Sequence, residues 1–148
     1  MTTYATQQDL VDRFGSDELI QLTDRSSSGT IDATVVDQAL QDATDEMDGY
    51  IAARYELPLP STPNTLVRIC ADIARYRLYD IQAPEAVAQR YKDAVAFLKA
   101  VSAGTVALGL PTAQQPSAAS APQKSAPNKV FGGSRISDYQ GWDYGDGK

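Results

Sequence analysis

The sequence predicts a mostly α fold: an antiparallel bundle of three long helices plus two short N-terminal helices, with an extended C-terminal tail. Three observations predict it. Apolar residues recur at steps of three and four along three separate stretches, which is the spacing of one stripe on a helix. Prolines and glycines punctuate the gaps between those stretches, with Gly49 as the exception. After Leu110 the composition changes sharply.

The elements follow in chain order. Thr6 and Asp9 are spaced as a capping box with Asp in place of Glu, and Leu10, Val11 and Phe14 give a short apolar face that Gly15 ends. A second short helix is expected over Asp17 to Leu22. Asp32 is a good N-cap, and Ile31 with Val36 has the spacing of a hydrophobic staple. The helix it opens is expected to run to about Tyr55, with Val36, Leu40, Ala43, Met47, Tyr50 and Ile51 on one stripe and acids opposite. Gly49 would cost ~1 kcal/mol against Ala in mid-helix, so the expectation is close approach of another helix beside Ala52 and Ala53.

Pro58, Pro60 and Pro63 end that element, and Thr62 is expected to cap a new helix with Pro63 at its first position. This helix carries Leu66, Ile69, Cys70, Ile73 and Tyr76. The third long helix starts near Pro84, shows Val87, Tyr91, Ala94, Leu98 and Val101, and stops at Gly104. Val106, Leu108 and Leu110 alternate as a brief strand or arm.

Residues 1–110 therefore form the helical domain. Residues 111–129 hold four Pro, five Ala, three Ser and three Gln with no apolar side chain larger than Ala, so they form a linker. At ~3.1 Å per residue its reach is roughly 60 Å. Residues 130–148 place Phe131, Tyr139, Trp142 and Tyr144 among five glycines, with no basic run. Large aromatics on a tether suit pockets on a protein partner, so these four are the candidate tail anchor.

Composition limits the chemistry. No residue is His and only one is Cys, which excludes Ser-His-Asp and Cys-His catalysis, His-containing zinc sites and an internal disulfide. Cys70 on an apolar stripe reads as a buried thiol. Thirteen Lys plus Arg against 19 Asp plus Glu give a net charge of -6, which opposes non-specific grip on DNA. Neither a signal peptide nor a membrane span is legible, so the chain is expected in the cytoplasm when made.

Asp37, Asp42, Asp45, Glu46 and Asp48, with Asp72 on the next helix, are the carboxylates that a metal-dependent nucleotide hydrolase of all-α type would use. Asp37, Asp45 and Asp48 fall opposite Leu40 and Met47, so a solvated face is the expectation and no metal or cofactor site is assigned. Arg54, Tyr55, Asp72 and Arg75 lie close to the apolar stripes, with Tyr76, Arg77 and Tyr79 nearby. They read as ion pairs and aromatic contacts at a bundle or subunit edge in preference to a ligand clamp.

The order of short runs is informative beyond these residues. It comprises Tyr-Ala-Thr before the first helix, Tyr50-Ile51-Ala52-Ala53-Arg54-Tyr55-Glu56-Leu57-Pro58-Leu59-Pro60, and Cys70-Ala71-Asp72-Ile73-Ala74-Arg75-Tyr76. With Ser102-Ala103-Gly104-Thr105-Val106-Ala107-Leu108-Gly109, it resembles the Mu-like phage head-tail connector proteins over about residues 2–110. The resemblance implies a non-enzymatic helical adaptor of the virion neck, assembled in the host cytoplasm as a dodecameric ring beneath the portal protein. It would meet head-closure or tail-terminator proteins on its other side, and DNA would pass its channel without specific binding. Asp37, Asp45 and Asp48 then become channel-facing candidates, and Arg54, Tyr55, Asp72 and Arg75 subunit-edge candidates. The alternatives are a head-closure or tail-completion protein of the same particle, and an all-α metal-dependent hydrolase or nucleotide regulator.

Overall fold

In the computed structural model, residues 2–113 are described. They form five helices: α1 (Gln7–Phe14), α2 (Ser16–Thr23), α3 (Ala33–Ile51), α4 (Asn64–Leu78) and α5 (Glu85–Ala103). Each begins where the local chemistry places it. The Thr6 hydroxyl accepts from the Asp9 N–H while the Asp9 carboxylate accepts from the Thr6 N–H, closing the capping box of α1. The Asp32 carboxylate accepts from the N–H groups of Thr34 and Val35, and Ile31 packs on the core beside buried Val36. Between α2 and α3 the exposed Asp24 carboxylate gathers the N–H groups of Ser26, Ser28 and Gly29. Hydrogen bonds from Ser28 and Gly29 bring its pKa down to about 2.

Several boundaries move by a few residues. α2 starts at Ser16 and ends at Thr23, one residue beyond its expected span on each side. α3 ends at Ile51, and Ala52 to Arg54 turn away, although the Tyr55 N–H still bonds to the Ile51 carbonyl. Thr62 does not cap α4. Pro63 keeps an extended ψ of 145° and takes the cap position itself, and its carbonyl accepts from Leu66 and Val67. Pro84 does the same for α5. In both places the missing proline N–H sits where a helix would leave it unpaired.

α3 and α4 run antiparallel: Val35 and Ala39 share a cleft with Leu78, while Thr44 lies against Cys70. α5 returns along α4, with Tyr91 stacked on Tyr76 at 4.2 Å between ring centres. The core joins Val36, Leu40, Met47 and Ile51 of α3 to Leu66, Ile69 and Ile73 of α4 and to Leu98 and Val101 of α5. Leu10 of α1 and Leu19 of α2 close it. Cys70 is buried within it, and burial raises its thiol pKa to about 11, so it stays protonated.

Two expectations about small residues and strands are corrected. Gly49 is exposed with nothing near the position its Cβ would take, so no helix packs against it. Val106, Leu108 and Leu110 form no strand. Gly104 ends α5 in the left-handed conformation, at φ 82°, and the chain then folds back over the core as an irregular arm. The Leu108 N–H donates to the Tyr55 hydroxyl at 2.8 Å, and the Ala113 N–H to the Arg54 carbonyl at 2.9 Å. Partners from one loop satisfy the arm, so it needs no neighbouring strand.

Candidate functional site

The candidate residues separate into three surroundings. On α3, Asp37, Asp42 and Asp45 are exposed, and Gln41 donates to Asp45. Asp48 departs from the expected solvated face. It is half-buried and accepts a hydrogen bond from the Tyr4 hydroxyl, because the segment before α1 folds back against α3, where the Tyr4 N–H also meets Thr44. Burial, reinforced by Asp48, raises the Tyr4 pKa. Glu46 turns the other way, accepting from Arg77 at 2.6 Å and from the Tyr91 hydroxyl at 2.9 Å. The carboxylates expected to cluster therefore point to different partners, and among the described residues no group of three or more His, Cys, Asp or Glu is placed to hold a metal ion.

A second network links α2 to α4. Arg75 grips Glu18 through two hydrogen bonds of 2.7 and 2.9 Å, Tyr79 donates to the same carboxylate, and the Arg75 guanidinium lies 4.4 Å from the centre of the Phe14 ring. Glu18 was not legible as a partner, since 57 residues separate it from Arg75. Tyr55, an expected edge residue, is 3% exposed, because its ring packs in the core and its hydroxyl is needed by Leu108. Arg54 is exposed and its guanidinium lies over Gly104, so a side chain there would have to displace it.

Asp72 has the least ordinary surroundings. It is 5% exposed, yet its carboxylate accepts no hydrogen bond from a described residue. Its ion pairs are long, 3.9 Å to Arg68 and 3.7 Å to Arg90, and both arginines are more than half exposed. Burial raises its pKa against the opposing pull of Arg90, Arg68, Arg13 and Arg75. A carboxyl whose folded pKa is raised contributes stability below its unfolded pKa and loses it as pH rises through the folded value. Asp72→Asn is therefore expected to raise the melting temperature at neutral pH, with the difference closing as pH falls below about 4. A lower melting temperature at neutral pH would show that the arginines outweigh burial. The i,i+4 spacing of Arg68 and Asp72 was readable from the sequence, whereas Arg13 and Arg90 come from other helices.

No described helix is long and apolar enough to cross a membrane. The aromatic anchor Phe131, Tyr139, Trp142 and Tyr144 lies outside the described residues, as does the linker from residue 114.

Comparison with known proteins places this arrangement. The family model described as bacteriophage Mu, Gp36 matches residues 4–126. The chain is 36% identical over 110 residues to the Mu-like prophage FluMu protein gp36 of Haemophilus influenzae, covering 74% of this chain and 78% of that protein. It is 39% identical over 102 residues to gene product J of Escherichia phage Mu, covering 68% and 72% respectively. The match runs through all five helices and past the end of the arm, and the chain belongs to the bacteriophage Mu Gp36 family.

Proposed function

We propose that this chain is a structural virion protein: a head-tail connector that forms a dodecameric ring beneath the portal of a long-tailed phage and surrounds the path of the DNA. The observation that carries the reading is family membership across the whole helical domain. The side chains support it. Most of the polar groups that sequence reasoning offered for chemistry hold the fold together, as Glu46, Asp48, Arg75 and Arg77 do. The exposed acids of α3 and the chain's charge of -6 suit a protein that DNA passes without being held. In this reading the tail aromatics Phe131, Tyr139, Trp142 and Tyr144 anchor the subunit to the portal or to its neighbour, with the linker raising the effective concentration of that contact.

Quantitative mass spectrometry of density-purified particles, scaled to the portal protein, tests it. Parity with the portal is the expected result. Absence from the particles would overturn the connector and favour an enzyme or regulator that acts before assembly.

A further inference from the structure

Two eight-residue helices, α1 and α2, are separated by Gly15 alone. Its N–H bonds to the Val11 carbonyl at 2.9 Å, as the next residue of a continuing helix would. Only its dihedrals break the run: φ 89° and ψ 151° lie in a region that residues other than glycine hardly enter. No side chain caps α2. Rotating Gly15 into the helical region would bring the N–H groups of Ser16, Asp17 and Glu18 to the carbonyls of Asp12, Arg13 and Phe14. That would join α1 to α2 as one helix about 25 Å long.

The two sides of this hinge are held differently. α2 is fixed by buried Leu19 and by the two hydrogen bonds from Arg75 to Glu18. On the other side, residues 2–14 lie on α3 and α4 as a flap. Its buried side chains are Ala5 and Leu10, and its polar links run from Tyr4 to Asp48 and Thr44. Beneath it the Cys70 sulfur lies 3.8 Å from the Thr44 hydroxyl and is hydrogen-bonded by the backbone of Tyr4 and Ala5. The surface of α3 and α4 is therefore shaped for this flap, and its chemistry is the same whether the flap belongs to its own chain or to a second copy.

We propose that residues 2–14 exchange between copies of this chain: Gly15 straightens, α1 leaves its own groove on α3 and α4, and it takes the same groove on the next copy. Exchange of an identical element remakes the contacts it breaks, and the joined helix adds backbone hydrogen bonds that the closed form lacks. The donated flap and the receiving groove are different surfaces, so each copy gives to one neighbour and takes from another. Such a head-to-tail contact generates a ring when the rotation between copies closes. Copies gathered on one support meet at high effective concentration, which favours exchange in an assembly and the closed flap in dilute protein. The proposal deepens the ring described above and rests on that reading for its setting.

The experiment uses the free full-length chain, so its failure is distinct from absence from particles. Ala5→Cys places a thiol on the flap against native Cys70 in the groove. Chains carrying natural and heavy nitrogen are mixed equally under reducing conditions and then oxidised with glutathione disulfide. Mass spectrometry of the peptides counts the bonds from position 5 to Cys70 that join the two isotopes. This mixed fraction is expected to be low in dilute protein and to rise with concentration. Adding Gly15→Ala is expected to raise it about tenfold in dilute protein with helix content retained. No atom lies within 4 Å of the added Cβ, so only the backbone angles exclude alanine. Inserting Gly-Ser-Gly after position 15 of that variant should remove the gain, because a longer hinge lets the flap close on its own chain. Bonds that stay within single chains, both in the concentrated parent and with Gly15→Ala, overturn the proposal, as does a gain that survives the insertion. Scattered pairing of position 5 with itself also overturns it, since the flap would then have left one groove without entering another.

Discussion

Leu98→Ala is expected to lower the unfolding free energy by about 3 kcal/mol, within the ~2–5 kcal/mol span for Leu to Ala in a packed core. Leu98 is completely buried, and α5 has few alternatives to it. The other buried residues of that helix are Val87, Ala94 and Val101, each smaller than Leu. Its N-terminal half is held mainly by the stacking of Tyr91 on Tyr76 and by the bond to Glu46. A cavity at Leu98 therefore weakens the attachment of a whole helix, whose other large side chains on the core, Tyr91 and Phe97, are only partly buried. For a domain of this size, with a stability of about 5–15 kcal/mol, the loss is a large fraction of the total. Urea unfolding followed by circular dichroism reads it as a lower midpoint with an unchanged slope. A loss below about 1 kcal/mol would mean that the core closes around the site.

Arg75→Ala is the second large effect, with an expected loss of about 2–3 kcal/mol. The Arg75 and Glu18 side chains are 19% and 25% exposed, so water screens their two hydrogen bonds poorly. Removing the guanidinium leaves Glu18 half-buried with the Tyr79 hydroxyl as its remaining partner, and strips the face of Phe14. The double variant with Glu18→Gln should cost clearly less than the two single changes added together, because the second change removes a carboxylate already left without its cation. Additive losses in this cycle would refute the pair as the link between α2 and α4. Arg75→Lys should fall between, retaining charge but not the planar fork.

The helices were legible where one segment contains both its periodicity and its stop signals. Val36 to Ile51, Leu66 to Tyr76 and Val87 to Val101 each repeat with a helical period, and Asp32 and Gly104 mark ends by their own chemistry. The start of α4 was misplaced by one residue because a proline's φ of about −65° suits the cap and the first turn equally. Gly49 misled because a glycine on a solvated face and one at a helix crossing look the same in sequence. Among the candidate site residues, Asp37 and Asp45 were placed on the correct face, whereas Asp48 and Tyr55 were not. Their partners, Tyr4 and Leu108, lie 44 and 53 residues away, and no local pattern encodes such a meeting. The surroundings of Asp72 had the same obstacle, since Arg13, Arg68 and Arg90 come from three helices that only the folded chain gathers.

The arm after Gly104 determines where tension enters the domain. A pull applied at Ala113 loads its bond to the Arg54 carbonyl first, and then the bond between Leu108 and the Tyr55 hydroxyl. Both lie just beyond the C-terminal end of α3, one of the two longest helices and a main contributor to the core. Force therefore reaches the bundle beside α3, and the last turn of α5 is spared until the arm has peeled away. The domain takes up tension away from the end of its final helix.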